Sequence, residues 1–197
     1  SSKDVNKGLL LPHYEFPPLG RKILFNQLVN SNEDQQKFFN ELRKNSGDKK
    51  IYILISFKDY SFCFDEVIDK TDVVIILVNT PSDSNGEFSN KYIYDALNDV
   101  CKSLKQSDKE DFLFIISSTV MPCSHDKIIH FIEENSGRKL NENFGVCYIP
   151  DLVALGSVIK DFENPDVVIL GQSDEKYGEV ALKIYSKIIK NNCPIVR

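Results

Sequence analysis

The chain has 197 residues, of which 42% are hydrophobic and 27% charged, and its formal net charge is -5. This profile is that of an ordinary globular protein with one buried core, and it argues against an intrinsically disordered chain. A net negative charge without a basic block argues against a nucleic-acid binder, and no apolar run is long enough for a transmembrane helix or a signal peptide.

The cysteines and histidines form no recognisable framework or metal motif. The five cysteines are scattered and odd in number, which is not a disulfide pattern, and the three histidines have no metal-ligand spacing. We therefore expect a reducing compartment, the cytoplasm, and no bound metal. Because the chain starts at Ser1 rather than at a methionine, we expect that processing, a tag or a truncation precedes it.

The first third of the chain has a less regular pattern than the rest. Residues 9–20 are rich in proline and predict an extended entry, and residues 22–29 could form a strand. Ser31 is placed to cap a predicted helix over residues 32–44. Glu33 and Asp34 fall in the first turn of that helix, where carboxylates stabilise the helix dipole.

From residue 50 onward, short apolar runs alternate with amphipathic patterns. Runs that are apolar at successive positions predict strands buried on both faces, and the alternation predicts a mostly parallel, doubly wound sheet with helical crossovers. The predicted strands are residues 50–56, 73–79, 112–118, 144–149 and 167–171, and the predicted helices are residues 90–105, 124–135 and 173–190. We expect one α/β domain over residues 1–197.

Polar residues follow four of these strands. The loops begin at Asn79, Ser118, Pro150 and Gly171 and supply hydroxyls, carboxylates or helix-start amides. Because ligands bind beyond the carboxyl ends of parallel strands, we expect all four loops to open on one ligand-binding edge. Each loop alone also fits a simple strand stop or helix cap, but four of them on one edge favour a ligand site.

Four segments, in order, resemble the N-terminal NAD-binding domain of the UDP-glucose/GDP-mannose dehydrogenase family. Residues 72–81 look like its strand ending in Thr-Pro, and Ser118-Thr-Val-Met-Pro122 looks like its Ser-Thr-Val-Pro-Pro-Gly loop. Residues 148–156 look like its Asn-Pro-Glu-Phe-Leu-x-Glu-Gly loop, and residues 161–171 look like the segment that follows. The resemblance runs from about Ile51 to the C-terminus. It implies a Rossmann-like fold whose first βαβ unit has diverged within residues 1–49.

The resemblance also implies an activity: NAD-dependent oxidation of the C6 alcohol of a nucleotide sugar to a carboxylate, as used in polysaccharide biosynthesis. Thr119 would position the reacting water near the nicotinamide, and Asp151 would stand in the place of the family's catalytic Glu. The residues implied to bind the cofactor are Asn79, Thr80, Pro81, Ser118 and Thr119, and those implied to bind the substrate are Asp151, Leu152 and Val153.

Several departures from the family pattern bear on activity. Asp151 is one methylene shorter than Glu, Leu155 replaces a second Glu, Ile149 replaces the Asn, and Cys123 replaces a Gly. The sequence contains no Gly-x-Gly-x-x-Gly loop, and the family's nucleophilic Cys, Lys and Asn belong to domains that follow its cofactor domain. We therefore expect that this chain alone does not complete the oxidation. We expect either a homo-oligomer or a partner chain that carries the missing domains.

Two explanations account for the missing glycine loop. Either the opening βαβ unit is absent, or it is replaced by a strand over residues 23–29 and a helix over residues 33–44, whose acidic first turn would repel a pyrophosphate. Three functions stay open: a subunit of an active dehydrogenase, a non-catalytic homologue that binds a nucleotide or nucleotide sugar, and an interaction module. The aromatic residues 57–64 could form the interface of such a module.

Overall fold

The structure, a computed structural model, describes residues 51–55, 68–69, 71–78, 80–82, 86, 88–152 and 157–197. Several expectations lie outside these residues. They concern the extended entry, the strand over residues 22–29, the helix over residues 32–44, the fate of the first βαβ unit and the aromatic residues 57–64. The sites expected at Asn79 and Val153 also lie outside them.

Strands and helices alternate through the described residues, as predicted. In chain order they are β1 Ile51–Ile55, β2 Val73–Leu77, α1 Lys91–Gln106, β3 Phe112–Ile116, α2 Ser124–Ser136, β4 Phe144–Tyr148, α3 Val158–Glu163, β5 Val168–Ile169, β6 Gly171–Gln172, α4 Glu175–Tyr185 and β7 Ile195–Val196. The short helix α3 was not predicted. Helix α4 ends at Tyr185, before the predicted residue 190, because the amides of Lys187 and Ile188 bond three residues back and tighten the turn.

Within the described residues, five strands form the main sheet in the order β1-β2-β3-β4-β6, and the first four are parallel. Successive residues of β2 face opposite layers. Val74 and Ile76 pack in a cluster with apolar residues of α1 and α2, and Val73 and Ile75 pack in a second cluster with residues of α4. The continuous apolar runs therefore mark strands covered on both faces, which confirms the doubly wound, mostly parallel sheet.

The prediction that residues 167–171 form one strand of the parallel sheet is wrong. It divides into β5, which pairs with β7 in a separate two-stranded sheet, and β6, which runs antiparallel to β4 with Gly171 beside Tyr148. The chain therefore joins the sheet beside the carboxyl end of β4 and runs from there toward the amino end of β4. Ser173 lies there, where its Oγ accepts a hydrogen bond from Val146 N at 3.1 Å and donates to Asn141 Oδ1 at 2.7 Å.

This reversal corrects the expectation that four loops share one edge. The loop around Ser173 and Asp174 lies at the amino ends of the parallel strands, whereas the loops after β2, β3 and β4 lie at their carboxyl ends. Three loops therefore form the expected edge, and of the fourth only its first residue, Gly171, lies there, beside Tyr148 at the end of β4. In the part of the chain that the structure describes, no helix has the length and apolar character needed to cross a bilayer.

Candidate functional site

Hydrogen bonds continue across the sheet beyond the ends of its strands and draw the three loops together. Ser117 N donates to Ile76 O at 2.9 Å, which joins the end of β3 to the end of β2. Asp151 N donates to Ser117 O at 3.3 Å, which joins the loop after β4 to the loop after β3. The first polar residues after β2, β3 and β4 therefore start from fixed neighbouring positions on one edge.

Ser118 fastens two of these loops by its side chain. Its Oγ accepts a hydrogen bond from Val78 N at 2.7 Å and donates one to Val78 O at 2.9 Å. The residue is buried, so this hydroxyl satisfies backbone groups that would otherwise be costly to bury. The cofactor contact expected of Ser118 stays a prediction. Its hydroxyl already makes two hydrogen bonds within the chain, and these hold the two loops together.

Thr80 and Thr119 follow the two residues that Ser118 joins. Thr80 is half-buried and Thr119 is exposed, and within the described residues neither hydroxyl takes part in a hydrogen bond. Pro81, exposed beside Thr80, uses its carbonyl to accept a hydrogen bond from Ser89 N at 2.9 Å, which closes the loop. Both threonines therefore present unengaged hydroxyls at the carboxyl edge, as a polar ligand would require.

Asp151 lies in a small, largely apolar recess at the same edge. Its neighbours there include Phe162 and Pro165, and the other polar side chains are those of Asp161 and Tyr185. Burial raises the pKa of Asp151 to about 7, because an apolar setting disfavours the charged form. A carboxyl group with this pKa can hold or release a proton near neutral pH, as an acid-base catalyst must.

The recess itself is too small for a sugar. Its volume of about 40 Å³ is room for a water molecule or two. Leu152, expected to bind the substrate, is 54% exposed beside it. A larger ligand would therefore lie over the mouth of the recess, with Asp151 beneath it and Leu152 at its rim.

Cys123 precedes α2 with a left-handed backbone, at φ 63° and ψ 10°. A side chain in the left-handed region of backbone conformation costs about 1 kcal/mol or more. This cost explains why a glycine suits this position in the Ser-Thr-Val-Pro-Pro-Gly loop that residues 118–122 resemble. We expect Cys123→Gly to raise the free energy of unfolding by roughly 0.5 to 1 kcal/mol, after the larger entropy of the unfolded glycine chain is subtracted. Urea unfolding measures this change.

Cys123→Ala is the matched control, because it removes the same exposed thiol and keeps the strained backbone. We expect it to lie within about 0.5 kcal/mol of the unsubstituted chain. Equal stability changes in the two variants would contradict the backbone explanation.

Two of the free thiols in the described part of the chain are held in the core. Cys101 and Cys147 are buried, and burial raises the pKa of each thiol to about 12, so both stay protonated and inert. The described residues also hold no group of three His, Cys, Asp or Glu side chains arranged for a metal ion. The buried thiols therefore add no reactive group to the hydroxyls and the carboxyl group of the carboxyl edge.

Two residues of this edge were missed by sequence reasoning. Ser117 falls in a predicted strand and Tyr185 in a predicted helix, yet their hydroxyl oxygens lie 3.1 Å apart beside Asp151. A tyrosine at an apolar helical position gives no sign of its partner, which here is 68 residues away in sequence. The contact could be found only once α4 was placed against the sheet.

Comparison with known proteins gives a match over most of the described sheet. Residues 55–189 match the model of the NAD binding domain of the UDP-glucose/GDP-mannose dehydrogenase family. A GDP-mannose 6-dehydrogenase of Pseudomonas putida is 29% identical over 135 residues, which cover 68% of this chain and 30% of that protein. A UDP-glucose 6-dehydrogenase of Rickettsia bellii is 29% identical over 133 residues, which cover 68% of this chain and 29% of that protein.

Solved structures give the same match. A GDP-mannose dehydrogenase from Pseudomonas aeruginosa, solved as a ternary complex, superposes with a TM-score of 0.63 at 28% identity and covers 70% of this chain and 31% of that one. A UDP-glucose dehydrogenase from Pyrobaculum islandicum, at 24% identity and a TM-score of 0.60, shares the fold over 70% of this chain and 31% of its own. The matched part of the chain thus spans less than a third of the length of each of these four relatives.

Proposed function

The chain belongs to the UDP-glucose/GDP-mannose dehydrogenase family, and we propose that it is the NAD-binding part of an enzyme that oxidises the C6 alcohol of a nucleotide sugar to a carboxylate. The observation that carries this proposal is the single edge at which the loops of Thr80, Thr119 and Asp151 are joined by hydrogen bonds. The matched residues correspond to the NAD-binding domain of the family, and the Rossmann-like fold agrees with that role.

The exposed polar groups fit one end of a dinucleotide. The unengaged hydroxyls of Thr80 and Thr119 can bind the amide and ribose groups of a nicotinamide nucleoside. When bound, NAD would supply the acceptor for the hydride that leaves the sugar C6. Ser118 would act indirectly, by holding the loops that carry the two threonines.

Asp151 would act as the general base and general acid of the reaction. As a carboxylate it can accept the proton that the C6 hydroxyl loses when its carbon is oxidised, and as a carboxylic acid it can return one. Its pKa of about 7, raised by burial, leaves both forms populated near neutral pH. Thr119, which is exposed on the neighbouring loop, would orient the water that the second oxidation consumes.

Turnover would need more than this chain. The sequence lacks the glycine-rich loop, and the relatives are more than three times as long as the matched region, so a partner chain or a further segment would carry the covalent nucleophile. By the same proposal, the product would be a nucleotide-linked uronic acid of the kind used in polysaccharide biosynthesis, made in the cytoplasm.

Calorimetric titration with NAD tests the proposal directly. We expect NAD to bind, and Thr119→Val to weaken binding about tenfold because one buried hydrogen bond to the ligand is lost. Lys105→Ala is the control, since this exposed residue lies in the last turn of α1, near the amino ends of the strands. An absence of NAD binding, or an equal loss in both variants, would contradict the proposal.

The absent glycine loop favours a second function, a non-catalytic homologue that binds a nucleotide or nucleotide sugar. The two functions differ in titration with UDP-glucose or GDP-mannose. Binding of a nucleotide sugar without any binding of NAD would support the second function, whereas binding of NAD supports the first. A spectrophotometric assay for NADH with both substrates present should show no turnover by this chain alone.

A further inference from the structure

Tyr185, the last residue of α4, brings a buried hydroxyl to the carboxyl edge. The residue is 7% exposed, and its oxygen lies 3.1 Å from the Oγ of buried Ser117. Tyr185 also lines the recess in which Asp151 lies. The helix therefore contributes a polar group at the place where the acid-base residue is held, although its other inward residues, apart from Tyr177, are apolar or small.

Ser117 links three parts of the structure. Its backbone N–H donates to Ile76 O at 2.9 Å, and its carbonyl accepts the N–H of Asp151 at 3.3 Å. Its side chain, within the described residues, pairs with Tyr185. A change at Tyr185 would leave the buried Ser117 hydroxyl without this partner, and its consequences would pass through Ser117 to the backbone of Asp151.

We propose that Tyr185 is a positioning residue for Asp151, acting through the hydrogen bond that holds Ser117 beneath the loop that follows β4. The value of this placement for catalysis rests on the acid-base role proposed for Asp151. The placement itself depends only on contacts within the chain and can be tested without any ligand.

Charge coupling between the two residues supports the proposal. Burial first, and then the negative charge of Asp151, raises the pKa of Tyr185, whereas the hydrogen bond to Ser117 lowers it. Among the described residues, the ionisable groups packed around Asp151 are Asp161 from α3 and Tyr185 from α4, and Cys147 of β4 faces Tyr185. The hydrogen bond from Tyr185 holds Ser117, whose carbonyl accepts the N–H of Asp151. Its loss should therefore move the Asp151 carboxyl relative to the apolar recess and change the pKa of that carboxyl.

Carboxyl carbon NMR titration of the unliganded chain tests the proposal. We expect Tyr185→Phe to change the pKa of Asp151 by about 0.5 or more and to shift the amide resonance of Asp151. Tyr177→Phe is the matched control, because it removes the other buried tyrosine hydroxyl of α4, which donates to Asp111 Oδ1 at 2.6 Å beside the start of β3. We expect that control to leave both signals of Asp151 unchanged.

Ser117→Ala tests whether Tyr185 acts on Asp151 through Ser117. We expect it to shift the Asp151 signals in the same direction as Tyr185→Phe, and we expect Tyr185→Phe to add little when introduced into Ser117→Ala. Unchanged Asp151 signals in Tyr185→Phe, or an equal effect in the presence and absence of Ser117, would overturn the proposal. If the chain proves not to bind NAD, the proposed function fails while these ligand-free shifts are still expected, so the two failures can be told apart.

Discussion

Replacing Gly145 with alanine should lower the free energy of unfolding by about 3 kcal/mol or more, enough to unfold a domain of ordinary stability. Gly145 lies in β4, on the face of the sheet covered by α4. A Cβ at this position would overlap Cγ and Cδ2 of the Tyr177 ring. The ring cannot move aside easily, because Tyr177 is 2% exposed and its hydroxyl donates to Asp111 Oδ1.

Chemical denaturation in urea measures this loss, and Gly137→Ala is the control. Gly137 ends α2 with φ 71°, and a Cβ there would meet nothing within 4 Å, so only backbone strain of about 1 kcal/mol is expected. Tyr177→Leu should recover part of the loss in the Gly145→Ala background, because it removes the ring that causes the overlap. Similar losses for the two glycines would contradict the overlap as the cause.

The sheet could be predicted because its strands are buried on both faces. A run such as Val73 to Leu77 leaves no polar face for solvent, so it predicts a central strand with layers on either side. The structure confirms this: alternate residues of β2 pack toward α1 and α2 or toward α4. The pattern depends on local burial alone, and one sequence is enough to reveal it.

The division of residues 167–171 could not be predicted in the same way. The apolar run there is as continuous as the others, but its pairing is decided by a distant segment, since Leu170 N donates to Val196 O at 2.8 Å. Gly171 then adopts the antiparallel register beside Tyr148. A run of four or five apolar residues specifies a strand, but it does not specify which neighbour the strand will choose.

The candidate site likewise has one part that the sequence predicts and another that only the structure reveals. Thr80, Thr119 and Asp151 follow strand ends, and both the topology rule and the resemblance pointed to them. The roles of Ser117, Ser118 and Tyr185 depend on buried hydrogen bonds between residues that are 40 or 68 positions apart. Composition and periodicity do not indicate such pairs. The hydrogen bonds that support the ligand-facing residues can therefore be identified only from the structure.

The stability of the chain should respond to pH through Asp151, and Asp151→Asn should reveal this response. Burial holds the pKa of Asp151 at about 7 in the folded chain, against about 3.9 for an unfolded aspartate. Between these values the unfolded state has released a proton that the folded state retains. The contribution of Asp151 to stability is therefore complete below about pH 4 and is lost as the pH rises through about 7.

Asparagine has a similar shape and no such titration, so the comparison isolates this contribution. Relative to the unsubstituted chain, Asp151→Asn should gain up to about 4 kcal/mol of unfolding free energy between about pH 4 and pH 8. Urea unfolding at several pH values measures the gain, and Asp99→Asn, on the exposed face of α1, should stay within about 0.5 kcal/mol of the original chain throughout. A constant difference between Asp151→Asn and the original chain would mean that Asp151 is already ionised in the folded protein, and the acid-base role proposed for it at neutral pH would lose its physical basis.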